Sequence, residues 1–106
     1  MSGIEQSSGN VYADLGRPDA GEMLVKARLA AKIGEIIKHR HLTQQQASAI
    51  LAMPQSKVSN MLRGNFRGIS EARMLECLNL LGRDIDIVVK KASKSQETGH
   101  TTVVFS

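Results

Sequence analysis

Aromatic residues are nearly missing from this chain of 106 residues, which has no Trp, one Tyr and two Phe. Proteins that grip single-stranded nucleic acid stack bases on aromatic rings, so that class of binding is not expected. Cysteine is equally scarce. Cys77 stands alone, an internal disulfide is impossible, and a reducing cytoplasmic setting is expected. No apolar run approaches the roughly 18 residues that span a bilayer, so no membrane partner is expected. The first ten residues, MSGIEQSSGN, are polar and hold no secretory apolar region. A Gly-rich phosphate loop and an acid/base pair are both missing, so neither an enzyme nor a cofactor is expected. His39 and His41 stand two apart with no Cys or carboxylate cluster to complete a metal site, so no metal is expected there. Favourable charge at a helix C-terminus accounts for both.

Charge is present, and it is uneven. The formal net charge is +4. Residues 1–25 sum to −3, residues 26–41 to +4 and residues 42–69 to +3, while residues 70–106 cancel. The stretch 42–69 holds Lys57, Arg63 and Arg67 and no acid at all. A basic centre beside an acidic arm suggests an anionic partner and two surfaces with different roles. The same distribution also fits a merely solvated face, and charge alone does not separate the two.

Periodicity divides the chain. Residues 1–10 are rich in Ser, Gly, Gln and Asn and read as disordered. Asn10 to Pro18 reads as a short turn or one helical turn pinned by Val11, Tyr12 and Leu15. Asp19 to Glu22 has the form of a helix start, and Leu29, Ile33, Ile36 and Ile37 then share one face of a helix over about 19–39. Gly34 inside it marks a close approach by another element. Thr43 and Gln46 form a capping box for a helix over about 43–51, with Ala47, Ile50 and Leu51 inward. Met53-Pro54 ends it, and Pro54 opens a helix over about 54–63 with Val58, Met61 and Leu62 inward and Gly64 as its stop. Ser70 caps a fourth helix over about 70–81, with Met74, Leu75, Leu78 and Leu81 at core spacing and Gly82 after it. Cys77 reads as a small buried filler. From Asp84 to Lys90 the period changes to two, with Ile85, Ile87 and Val89 on one face, which predicts a strand. Thr101 to Phe105 is a candidate second strand. A lone hairpin is marginal in water, so it packs on the helices or pairs with another chain.

The segment Thr43 to Arg63, TQQQASAILAMPQSKVSNMLR, is two short helices joined by a tight turn. The second is lined with Gln, Ser, Lys, Ser and Asn. It resembles the helix-turn-helix of the lambda-repressor-like (XRE) family. Leu42-Thr-Gln44 opens the motif, Ile50 to Gln55 makes the turn, and Val58-Ser59 with Arg63-Gly64 closes it. Ala52 stands where that family prefers a turn glycine, and Pro54 where it prefers a capping Ser. The expected fold is therefore mainly α: a lambda-repressor-like domain of four to five helices plus a C-terminal β-strand or hairpin. Three segments are expected: a flexible acidic arm at 1–18, the helix-turn-helix domain at 19–83 and a dimerisation segment at 84–106.

The resemblance implies a sequence-specific repressor of double-stranded DNA. The major groove admits one helix, and carboxamides suit base edges. By position in the motif, Gln55, Ser56, Lys57 and Asn60 are implied as base contacts, and Gln44, Ser59, Arg63 and Arg67 as phosphate contacts. A palindromic operator implies a homodimer, and Ile85, Ile87 and Val89 are the expected dimer face. A local hairpin with Val103 to Phe105 is the alternative use of that strand. The flanks NVYADLG (10–16) and GRDIDIV (82–88) resemble the HigA-like antitoxins, which implies a RelE-like toxin as partner. The alternatives are a stand-alone or phage-type regulator without a toxin, or an interaction module that has lost DNA binding.

Overall fold

The computed structural model describes residues 20–93 and 98–106. Among these residues there are four helices in order: α1 (Ala20–His39), α2 (Gln44–Leu51), α3 (Gln55–Leu62) and α4 (Glu71–Leu80). Their starts follow local chemistry. Thr43 is extended and its hydroxyl accepts from the Gln46 amide at 3.0 Å, while the Gln46 side chain accepts from the Thr43 amide at 2.8 Å. The Ser70 hydroxyl accepts from the Arg73 amide at 3.0 Å at the head of α4. Each of these bonds satisfies an amide that the first helical turn leaves without a partner. Pro54 is not the first residue of α3 but its N-cap, at ψ 148°. It has no side-chain oxygen to offer, and its carbonyl accepts from Lys57 and Val58. The expected turn at Asn10 to Pro18, the Asp19 helix start and the reading of residues 1–10 all lie outside the described residues.

The ends are more uniform than the starts. After each helix one residue takes the left-handed conformation: His41 (φ 58°), Ala52 (φ 54°), Gly64 (φ 93°) and Gly82 (φ 89°). At each, that residue's amide bonds three residues back and the next amide bonds five back, which is the Schellman arrangement. It ties off carbonyls that the last turn would otherwise leave open. Two of the four positions are glycine and two are not.

The helical unit spans Lys26–Val89. Its centre is Leu29, Ile33 and Ile36 from α1, Leu51 from α2, Val58 and Met61 from α3, and Met74 and Cys77 from α4, all buried. Burying each such aliphatic side chain contributes about 1.5–3 kcal/mol. Met53, Phe66 and Ile69 from the connections are buried with them. Ile50, Leu62 and Leu75, expected inward, are only half-buried. α2 packs against both α3 and α4. A Cβ added at Gly34 would stand 3.3 Å from Leu62 Cδ2, so α1 and α3 do approach closely there. Burial pushes the Cys77 thiol above its ordinary range, against a smaller lowering by Arg73.

The expected C-terminal strand is a correction. Among the described residues there is no strand pairing, and residues 84–93 and 99–106 are irregular. Ile85 is half-buried, and Ile87 and Val89 are 79% and 91% exposed. Alternation in sequence sets which side chains would share a face. A strand also needs a second backbone for its ladder, and periodicity says nothing about where that backbone lies.

Candidate nucleic-acid interface

Three residues, Ala52, Met53 and Pro54, join α2 to α3. The angle between the two helices therefore depends on their backbone. Ala52 holds a conformation that a Cβ disfavours, and neighbouring groups hold it in place. The Arg73 guanidinium, from α4, donates to the carbonyls of Leu51 and Ala52 and pairs with Glu76 at 2.9 Å. The Ser48 hydroxyl donates to the Met53 carbonyl. A cation at the C-terminal end of α2 meets its open carbonyls and the negative end of its dipole. Arg40 repeats the arrangement at α4, where Nη1 donates to the Leu81 carbonyl at 3.4 Å.

With Val58 and Met61 buried, α3 turns its other face outward. Gln55, Ser56, Lys57 and Asn60 are all exposed. Ser59 is half-buried. Gln44 is exposed at the first position of α2, and Arg63 and Arg67 are exposed beyond α3. Three of these residues are joined directly. Arg63 folds back along its own helix, donating from Nη1 to Ser59 Oγ at 2.6 Å and from Nη2 to Asn60 Oδ1 at 2.7 Å.

Arg67 lies in the loop between α3 and α4, where the Arg67 carbonyl accepts from Lys26 Nζ at 3.4 Å. Lys26 is only 4% exposed, so it is an internal prop and not part of the surface charge that its place in a basic stretch suggests. Lys26, Arg73, Arg40 and Ser48 are the residues that sequence reasoning missed. Their bonds to backbone carbonyls carry no periodic signal. The Arg63 contacts were within reach, since residues three and four apart on a helix are neighbours.

No helix among the described residues is long and apolar enough to cross a membrane. A family model described as a helix-turn-helix domain matches residues 11–90. A solved structure described as an XRE family transcriptional regulator is similar at a TM-score of 0.77 and 35% sequence identity, covering 84% of this chain and 100% of that one. Among curated proteins there is no match. A match over most of the sequence and a structural likeness at this identity agree: the chain belongs to the helix-turn-helix domain family, among the XRE transcriptional regulators.

Proposed function

We propose that the chain is a sequence-specific repressor that reads double-stranded DNA with α3, binds a palindromic operator as a homodimer and acts as the antitoxin of a toxin–antitoxin operon. The observation that carries the DNA reading is the exposed face of α3. Gln55, Ser56, Lys57 and Asn60 stand outward on an eight-residue helix, in a stretch from 42 to 69 without one acidic residue. A helix of that length is about 12 Å long and fits the major groove. Gln44, Ser59, Arg63 and Arg67 flank it as phosphate contacts, which position the protein without reading sequence.

A single helix-turn-helix reads too few base pairs for tight specificity, so two copies on half-sites about one turn apart are expected. In this reading residues 1–18 are an acidic arm, 19–83 the DNA-binding domain and 84–106 the dimerisation segment. The exposed Ile87 and Val89 support a second copy as their cover. The antitoxin role rests on the resemblance of residues 10–16 and 82–88 to HigA-like proteins, and it implies a RelE-like toxin encoded beside this chain.

The test is a footprint of the full-length protein on its own promoter. Two protected half-sites related by a two-fold axis are expected, and truncation after Arg83 should leave a folded monomer with weakened operator binding. A truncated chain that still sediments as a dimer refutes the role of residues 84–90. Growth rescue on co-expression with the product of the adjacent reading frame tests the antitoxin role. Protection of the promoter without rescue favours the stand-alone regulator.

A further inference from the structure

Arginine carries donors only, so the Asn60 atom at 2.7 Å from Arg63 Nη2 is the carboxamide oxygen. The second arm of the guanidinium is held at 2.6 Å by Ser59 Oγ, and the planar fork makes both bonds at once. No acidic residue between 42 and 69 competes locally for this guanidinium. Ser56, Asn60 and Arg63 are spaced at i, i+4 and i+7, so the clamped carboxamide belongs to the outward stripe of α3.

The polarity of that carboxamide has a consequence for base reading. An asparagine that recognises adenine uses both ends, accepting from N6 and donating to N7. One lone pair of Oδ1 is taken by a charged donor whose positive charge disfavours a further N–H beside it, so the end presented to a base is Nδ2, a donor. Guanine offers two acceptors on its major-groove edge, O6 and N7, and no donor. We propose that Arg63 is a positioning residue that fixes the polarity of Asn60, so that Asn60 reads guanine and discriminates against adenine. The inference rests on the reading above, in which α3 faces DNA. It gives Arg63 a part in specificity that a phosphate clamp lacks.

Selection of bound duplexes from a randomised pool, with the full-length protein, tests it. The wild type should enrich guanine over adenine about tenfold at one position of each half-site, a preference that Asn60→Ala removes. Arg63→Met should erase the preference at that same position and leave the other enriched positions standing. Arg63→Lys, which still offers a donor to Oδ1, should restore part of it, and Arg63→Ala serves as the readout if the Met variant does not fold. Adenine at the Asn60-dependent position overturns the proposal. So does a guanine preference that survives Arg63→Met, or Arg63→Ala where the Met variant does not fold, with affinity falling equally for every sequence. Enrichment of no sequence by the wild type overturns the DNA reading itself, which distinguishes the two failures.

Discussion

The turn between α2 and α3 and the loop between α3 and α4 begin with the same backbone arrangement and support it in opposite ways. After α2, Ala52 is left-handed, its amide bonds the Ala49 carbonyl at 3.4 Å and the Met53 amide bonds the Ser48 carbonyl at 3.1 Å. After α3, Gly64 is left-handed, with the equivalent bonds at 3.1 Å to Met61 and, from Asn65, 2.7 Å to Asn60. Glycine adopts this conformation freely, whereas an alanine there costs about 1 kcal/mol or more. The strained turn is the one that Arg73 and Ser48 hold by its carbonyls. The relaxed one leads into a loop anchored by the buried Phe66 and Ile69, where the Lys26 amine donates to the Arg67 carbonyl. The connection that sets the angle of the outward-facing helix is thus held by side chains, Ser48 of α2 and Arg73 of α4. The connection that carries a backbone-contacting arginine relies on its glycine.

The largest effect should come from removing the outside support. Arg73→Ala deletes a charged donor shared by two carbonyls, one of them half-buried, and should destabilise the fold by about 2 kcal/mol in urea unfolding. Operator affinity should fall with it, because the angle of α3 is no longer held. Arg67→Ala is the counterpart on the other connection. Its side chain is exposed and its backbone carbonyl keeps the Lys26 bond, so the stability loss should be smaller than that of Arg73→Ala. The salt dependence of DNA binding should still weaken by about one unit of slope. Equal stability losses from the two substitutions would break the contrast between a turn held by the Arg73 side chain and a loop that does not depend on the Arg67 side chain.

How far these features were legible in the sequence depends on their range. Helix positions were legible because apolar side chains repeat with the helical period and the stops are local, as Thr43 with Gln46 and Gly64 with Gly82 illustrate. The place of Ala52 was legible as one where the motif favours glycine, and its left-handed conformation follows that preference. Lys26 was not, because a lysine in a run of cations reads as surface until an opposing carbonyl 41 residues away buries it. Arg73 and Arg40 reach 22 and 41 positions back or forward for the same reason. A lone cation gives no hint of which helix end it will close. The alternation from Asp84 to Lys90 was legible as a pattern and not as a strand, since a ladder is a property of two segments.

A smaller effect should follow from spoiling the relaxed connection. A Cβ built at Gly64 meets nothing within 4 Å, so Gly64→Ala introduces no clash and its cost is purely conformational. Destabilisation of about 1 kcal/mol is expected. Because Asn65 bonds back to Asn60 through this turn, the substitution also reports on the end of α3. A cost near zero would mean that the loop tolerates strain without outside help, and would remove half of the comparison.

The smallest effect has the opposite sign and is the most discriminating. Ala52→Gly relieves the left-handed alanine but adds backbone freedom to the unfolded chain, so a net gain of about 0.5 kcal/mol is expected. Alone, that gain would show only that Ala52 is strained. Combined with Arg73→Ala it measures whether the arginine is there to hold the strain. If Arg73 fixes a turn that Ala52 resists, glycine should offset more of the loss in the Arg73→Ala background than it gains in the wild type. The coupling should then exceed about 0.5 kcal/mol in a double-mutant cycle. If Arg73 simply closes the end of α2, whatever residue follows, the two effects should add. A thermal or urea unfolding series on four proteins decides between these, and additive values would assign Arg73 to helix capping alone.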